Sequence, residues 1–184
     1  MVERHLAALA LLMLAGCAPS PERVVEPRLT AQRAPRGEEI LRRAVVTIHD
    51  RERARVGVGP VTWDDGLAAS ARGYAETMAR TGRFEHAVQP MDATRQGENL
   101  FTGTRDAYGY AEMLGYWAAE KKDFVNGPTP SFSRTGRWQD VGHYTQMIWS
   151  GSARVGCALA SNATDDYLVC RYAPAGNVVG RKAF

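Results

Sequence analysis

Two short apolar runs, Ala153-Arg-Val-Gly-Cys-Ala-Leu-Ala160 and Tyr167-Leu-Val-Cys-Arg-Tyr-Ala173, lie near the C-terminus on either side of a turn-rich segment, Ser161–Asp166. Runs of this length with a turn between them predict a β-hairpin. Two further strands are predicted at Tyr144–Trp149 and Asn177–Val179. Because all four runs are closely spaced, we expect an antiparallel sheet.

Upstream of these strands, the chain predicts three helices. Apolar residues recur at helical spacing in each, and Gly57, Gly59 and Gly82 provide stops after the first two. The predicted helices are Glu38–Arg55, a second that starts at Asp64 or Asp65, and Arg105–Lys122. Helices followed by strands in separate blocks predict an α+β domain. We expect Trp63, Trp117, Trp138 and Trp149 to lie in its core.

The N-terminus predicts export and lipid attachment. The apolar run Leu6–Ala15 is too short to span a bilayer but suits a signal peptide. It ends in Leu14-Ala15-Gly16-Cys17, which resembles the bacterial lipobox. We therefore expect residues 1–16 to be removed and Cys17 to carry a lipid, which would anchor the protein to an extracytoplasmic membrane surface. The membrane would be the outer membrane if the cell has one. A buried helix that ends in a cysteine is the alternative.

Residues 17–36 are interpreted as the lipidated cysteine and a tether, and residues 37–184 as the domain. The tether is rich in proline, arginine and glutamate and shows no apolar periodicity. As a flexible coil it would hold the domain roughly 25 Å from the lipid. From Gly37 onward, 18 basic and 17 acidic side chains nearly cancel. This balance argues against nucleic acid as a partner. We also expect the protein to be a monomer.

With Cys17 assigned to the lipid, two cysteines remain for the domain. Cys157 and Cys170 lie on the two strands of the predicted hairpin, which would bring them close together. In an exported protein we expect a disulfide, worth about 3 kcal/mol in the chain-entropy model. Two free buried thiols or a nucleophile are the alternatives.

Histidines and carboxylates provide the candidate site. His49 lies among apolar residues of the first helix and is interpreted as a packed core histidine. His86, Glu98, Glu120 and His143 are far apart in sequence. No pair among them has the i,i+4 spacing of a helical metal motif, so spacing alone does not predict a metal site.

Several motifs resemble the CAP superfamily, which includes cysteine-rich secretory proteins, venom allergens and plant pathogenesis-related class 1 proteins. The resemblance is densest at Gly142-His-Tyr-Thr-Gln-Met-Ile-Trp149 and at Tyr167-Leu-Val-Cys-Arg-Tyr-Ala-Pro-Ala-Gly-Asn177. Further matches are Ile48–Arg53, Val61–Asp64, Leu67-Ala68, Tyr74-Ala75, Gly97-Glu98-Asn99 and Trp117–Lys121. Together they extend from about Ile40 to Gly180, which is essentially the whole domain.

The resemblance implies a three-layer α-β-α sandwich with a central antiparallel sheet. It also implies that His86, Glu98, Glu120 and His143 meet in one open cleft. Asp50 stands where the family usually has asparagine, and Ala87 where it usually has serine. The additional cysteines of plant and animal members, and any cysteine-rich C-terminal domain, do not occur in this sequence, which argues against the functions that depend on that domain.

Two functions follow from this cleft. A binding module for a lipid, a sterol-like molecule or another envelope ligand is the expected function, rather than an enzyme. A metal-assisted hydrolase of peptide or cell-wall bonds is the alternative. His86 and His143, with Glu98 and Glu120, are expected ligands for Zn²⁺ or another divalent cation. The same four groups would otherwise form a polar network that stabilises the cleft.

Overall fold

The computed structural model describes residues 32–184. The predicted signal peptide, the lipidation site at Cys17 and most of the predicted tether therefore lie outside the described residues. The helices are α1 (Glu38–Arg55), α2 (Asp65–Thr81), α3 (Tyr110–Ala119) and α4 (Gly142–Met147). The strands are β1 (Thr62–Trp63), β2 (Gly97–Thr104), β3 (Arg154–Ser161) and β4 (Asp165–Ala173). No helix within residues 32–184 is long and apolar enough to cross a membrane.

The four strands form one sheet in the order β1-β3-β4-β2. Strands β3 and β4 form the predicted hairpin, and β2 pairs antiparallel with the other side of β4. The short strand β1 pairs parallel with β3 and thus departs from the antiparallel pattern. Strand β2 therefore lies at the edge of the sheet, and it carries Glu98 of the candidate site.

Helices cover both faces of the sheet, which confirms the predicted α-β-α sandwich. Successive side chains of a strand point to opposite faces. On β4, Leu168 and Cys170 pack with residues of α1 and α3, whereas Tyr167 and Val169 pack with residues of α2. Both faces are buried, so the core consists of two apolar layers with the sheet between them.

Helix α2 is defined by local signals that the sequence displays. The Asp64 side chain accepts a hydrogen bond from the backbone N–H of Leu67, and Gly82 ends the helix in the left-handed conformation. The first turn of α2 lies directly on β3, because a Cβ atom at Gly156 would come within 2.2 Å of the backbone nitrogen of Ala68. The bounds of α1 and α2 confirm the predicted ones.

Two of the predicted strands are wrong. Residues 144–147 of the predicted strand Tyr144–Trp149 belong to α4, and because all of residues 144–149 are buried, no alternation supports a strand there. The segment Asn177–Val179 forms no strand. Asn177 has a positive φ of 53° and its side chain bonds to α4, so the chain turns there.

Two other elements differ in extent from the expectation. The predicted helix Arg105–Lys122 is α3, which starts only at Tyr110, because Asp106 has a positive φ of 60° and the carboxylate of Glu112 bonds the backbone N–H of Gly109. Its last residues form a 3₁₀ turn, Glu120–Asp123.

The sequence does not predict strand β2. Nearly all of its residues are buried, on both faces, so the strand lacks the alternation of a half-exposed strand.

The core contains several predicted features. Cys157 and Cys170 are directly opposed on β3 and β4 and form the expected disulfide. His49 is fully buried, as expected. Trp117 and Trp149 are buried and Trp63 is partly buried, but Trp138 is exposed, contrary to expectation. Trp138 belongs to a 3₁₀ turn before α4 and covers Gly142 from the outside.

Candidate functional site

The first histidine–carboxylate pair joins α4 to the end of α3. His143 Nδ1 lies 2.6 Å from Glu120 Oε1, and because a carboxylate accepts, the imidazole donates. Glu120 Oε2 also accepts from the backbone N–H groups of His143 and Tyr144, each at 3.0 Å. Glu120 thus satisfies N–H groups at the start of α4 that no local side chain caps. This carboxylate is therefore a helix cap supplied from 23 residues upstream.

The His143 ring is held on a second side by α3. It stacks on the indole of Trp117 with 5.8 Å between ring centroids and an interplanar angle of 16°. The indole N–H of Trp117 in turn donates to the Leu100 carbonyl of β2. The Asn99 amide donates to the backbone carbonyl of His143 at 3.0 Å. Helix α3, strand β2 and the Glu120 turn together fix this imidazole.

A buried hydrogen-bond chain continues from Asn99 into the core. Asn99 also donates to the Tyr172 hydroxyl at 3.2 Å, and that hydroxyl lies 2.9 Å from His49 Nε2. His49 Nδ1 lies 2.8 Å from the Val45 carbonyl, so the neutral ring donates there and accepts from Tyr172. Burial lowers the pKa of His49 to about 4 and raises the pKa of Tyr172. The position of His143 therefore depends on a neutral histidine in α1.

The second pair lies at the start of β2. His86 Nδ1 donates to Glu98 Oε1 at 2.7 Å, and the backbone N–H of Ala87 donates to the same oxygen at 3.0 Å. The other oxygen, Oε2, lies 2.8 Å from the Arg171 guanidinium in an ion pair that lacks hydrogen-bond geometry. The Arg171 guanidinium also lies over the Tyr74 ring, 5.3 Å from its centroid. Glu98 is therefore a buried anion with a buried cation beside it.

Arg171 is the residue that sequence reasoning missed. Its side chain and that of Glu98 are each only 5% exposed, and burial lowers the pKa of the guanidinium. The signal was visible, because an arginine interrupts the apolar run of β4 at a position that faces α2. A charged residue on a buried strand face normally has a partner of opposite charge. Here that partner is a candidate site residue.

The edge strand β2 contacts the surroundings of both pairs through successive residues. Glu98 and Asn99 are successive residues of β2, so their side chains point to opposite faces: Glu98 toward Arg171 and α2, and Asn99 toward α4. The structure thus shows two histidine–carboxylate pairs, each with its own further contacts. Within residues 32–184, no group of three or more histidine, cysteine, aspartate or glutamate side chains is arranged to hold a metal ion. Convergence of all four on one ligand stays a prediction.

Exposed apolar side chains lie in two segments, one just after His86 and one just after Asn177, whose side chain bonds to α4. Val88 is fully exposed and Met91 is 85% exposed, in the loop between His86 and β2. Two mutual bonds between Gln89 and Gln96 close this loop. Val178 and Val179 are also exposed. They follow Asn177, which bonds to Gly142 and Thr145 on either side of His143.

A polar recess of about 390 Å³ lies near the first residues of β3 and the last residue of β4. None of the four site residues lines it. It lies between the start of α2 and the loop before β2. The Asp64 carboxylate within it is already engaged by the Leu67 N–H and by Arg154 at 2.6 Å. The recess is therefore not part of the His–Glu pairs.

Residues 46–172, more than half of the chain, match the family model described as the cysteine-rich secretory protein family, CAP. The chain belongs to the CAP superfamily. Over 140 residues, this CAP domain is 36% identical to a PR-1 type pathogenesis-related protein of Sambucus nigra, which covers 76% of this chain and 79% of the relative. The family is one of secretory proteins, which agrees with an extracytoplasmic location.

Solved structures show the same CAP fold. The crystal structure of NaASP2 with Zn²⁺ matches with a TM-score of 0.66 and 22% identity, covering 82% of this chain and 89% of the other. Venom allergen-like protein 4 of Schistosoma mansoni matches with a TM-score of 0.56 and 19% identity, covering 78% and 95%. At these identities the likeness extends to the fold alone.

Proposed function

We propose that this CAP domain is an extracytoplasmic module that binds an amphiphilic ligand, such as a lipid or a sterol-like molecule, and that a lipid on Cys17 anchors it to a bacterial membrane. The observation that carries this proposal is the combination of exposed apolar side chains with exposed imidazole. Val88 and Met91 lie within five residues of His86 in the chain, and exposed apolar surface beside polar groups is typical of ligand-binding sites. A ligand with an apolar chain and a polar head would contact both.

The two carboxylates favour binding over hydrolysis. A general base needs a carboxylate lone pair that is free to accept a proton from water. Glu120 already accepts three hydrogen bonds, and the Glu98 side chain is only 5% exposed and pairs with Arg171, so access of water to both carboxylates is limited. The two domain cysteines are joined in a disulfide and provide no nucleophile. Hydrolysis therefore remains the second candidate.

A divalent cation fits this donor set in part. In both pairs the carboxylate holds Nδ1, which orients the ring and leaves Nε2 as the metal donor, as in carboxylate–histidine–metal arrangements. His86 and His143 would hold the ion, and Glu98 and Glu120 would orient them. The bound ion would polarise an oxygen of the ligand head group. Since no group of three or more metal-ligating side chains occurs in the described chain, we propose weak binding completed by water.

Calorimetric titration with Zn²⁺ tests the cation. The double variant His86→Ala/His143→Ala should lose binding while the domain stays folded. Glu39→Gln on α1 is the control and should keep binding, because it replaces an exposed side chain outside both pairs. Unchanged affinity in the double variant would remove the metal from the proposal without affecting the amphiphile.

Titration with a fluorescent fatty acid and a fluorescent sterol tests the ligand class. Val88→Ser/Met91→Ser should weaken binding about fivefold for each side chain that loses apolar contact, equivalent to roughly 1 kcal/mol each. Ile40→Ser on α1 replaces another exposed apolar residue, far from both pairs along the chain, and should leave affinity unchanged. Equal losses in both variants, or no binding by the native protein, would contradict the proposal.

Membrane partition tests the anchor. Cys17→Ser should leave the protein unlipidated, either soluble or with its signal uncleaved. If this variant still partitions with membranes after signal cleavage, the lipobox interpretation is wrong.

A further inference from the structure

The residues just before Gly37 are attached to one end of the sheet. The Arg36 guanidinium donates to Asp166 at 2.6 Å and to the Tyr108 carbonyl at 2.9 Å. Asp166 is fully buried, and it also accepts from the backbone N–H of Asp106. The backbone N–H of Ala34 donates to the Asp106 carbonyl at 3.0 Å. The segment predicted as a free tether thus ends in contact with the domain before residue 37.

This attachment lies at a defined end of the sheet, which we call the anchor end. It comprises the last residue of β2, Thr104, and the turn between β3 and β4, because Thr104 pairs with Asp165 and Ser161 with Asp166. The opposite end, which we call the site end, comprises the first residues of β2 and the last residues of β4, where Gly97 pairs with Tyr172.

Two elements measure the distance between these ends. Strand β2 has eight residues, and roughly 20 Å separates Glu98 from its last residue at the anchor end. Helix α1 has 18 residues and is roughly 27 Å long. It begins beside Arg36, and near its other end Glu52 bonds Lys121, the residue after Glu120. Both elements place the His–Glu pairs at the site end.

We propose that the lipid anchor orients the domain with the anchor end toward the membrane and the site end away from it. The ligand then enters from the extracytoplasmic space rather than from the bilayer that holds the anchor. This inference rests on the proposed lipidation of Cys17. The exposed loop that carries Val88 and Met91 lies at the site end, directly before β2, and is therefore presented away from the anchoring membrane.

The C-terminus lies at the site end and supplies a control. The Ala183 carbonyl accepts from the backbone N–H of Ser150, which follows α4 closely, and the Phe184 carbonyl accepts from Asn126. Arg53, near the end of α1, donates to the Trp149 carbonyl in the same region. A tether attached after Phe184 would therefore hold the domain in the reverse orientation.

Energy transfer to vesicles tests the orientation. Ala93→Cys, in the loop before β2, and Ala163→Cys, in the β3–β4 turn, place one reactive thiol at each end, since both alanines are exposed and the domain cysteines are bonded. The lipidated protein, labelled with a donor dye, is reconstituted into phosphatidylcholine vesicles that contain an acceptor-labelled lipid. Transfer from position 163 should exceed transfer from position 93.

The reversed control uses Cys17→Ser with a C-terminal hexahistidine tag on vesicles that contain a nickel-chelating lipid. There the order of the two transfer efficiencies should invert. Equal efficiencies in the lipidated protein, or the inverted order, would overturn the proposed orientation. Flotation of the same vesicles separates this outcome from a failed anchor, since a protein that does not float contradicts the lipidation of Cys17 and the orientation with it. The amphiphile titration of the unanchored chain is independent of both.

Discussion

The two His–Glu pairs share residue types and geometry but differ in what surrounds them. Their Nδ1–carboxylate distances are 2.6 and 2.7 Å. The His143 ring is 24% exposed and stacks on Trp117, whereas the His86 ring is 54% exposed and has one side-chain partner. In both pairs the carboxylate also accepts hydrogen bonds from backbone N–H groups. The comparison shows that the carboxylates stabilise the fold and that His86 is the member most available to a ligand.

The largest expected effect concerns Glu98. Glu98→Ala would leave Arg171 buried without a counter-charge, which should lower the free energy of unfolding by about 3–5 kcal/mol. Glu120→Ala removes bonds to backbone N–H groups but strands no buried charge, so about 2 kcal/mol is expected. Urea unfolding of both variants measures the difference. A smaller loss for Glu98→Ala than for Glu120→Ala would contradict the distinction between the pairs.

Acid should destabilise the fold mainly through His49, which belongs to the hydrogen-bond chain that reaches His143 through Tyr172 and Asn99. The pKa of His49 is about 4 in the folded protein against an ordinary 6.5, so the unfolded chain binds the proton first as the pH falls. The contribution of His49 is complete above pH 6.5 and is lost between pH 6.5 and 4, by about 3 kcal/mol in total.

Unfolding free energies measured across this pH range check the prediction. His49→Gln should remove the slope that this residue contributes, even if the variant is less stable at pH 7. His86→Gln, outside the core, is the matched control and should retain the slope. A slope that survives in His49→Gln would show that other groups cause it.

The smallest expected effect is the difference in the free energy of unfolding between variants of the two histidines. His143→Ala loses the stack on Trp117 and the bond to Glu120 and should cost about 1–2 kcal/mol. His86→Ala is expected to change the free energy of unfolding by no more than about 0.5 kcal/mol, because that ring is mostly exposed. Thermal unfolding of the two single variants decides this. Equal losses would mean that His86 is as structural as His143.

Local signals predicted much of this fold. Asp64, Gly82 and the apolar spacing of α1 and α2 act within a few residues, so the sequence displays them directly. Helix α4 was predicted as a strand because its cap, Glu120, comes from 23 residues away and no local residue caps it. Strand β2 was overlooked because burial on both faces removes alternation.

The candidate site divides in the same way. Motif resemblance predicts all four residues, and the structure pairs each histidine with a carboxylate. The resemblance did not indicate that Glu98 and Asn99, as successive residues of β2, point to opposite faces of the sheet. Nor did it identify Arg171, whose role depends on pairing with Glu98 across two strands.

The contact between Arg36 and Asp166 has a consequence for proteolysis. The predicted tether contains four arginines that are cleavage sites for a trypsin-like protease, Arg23, Arg28, Arg33 and Arg36. Arg33 is 80% exposed, whereas the side chain of Arg36 is mostly covered and must leave its ion pair before it can enter a protease. Digestion of the native protein should therefore release a fragment that begins at Ala34. Such a fragment would retain Arg36, and with it the only cation that pairs with Asp166 in the described chain.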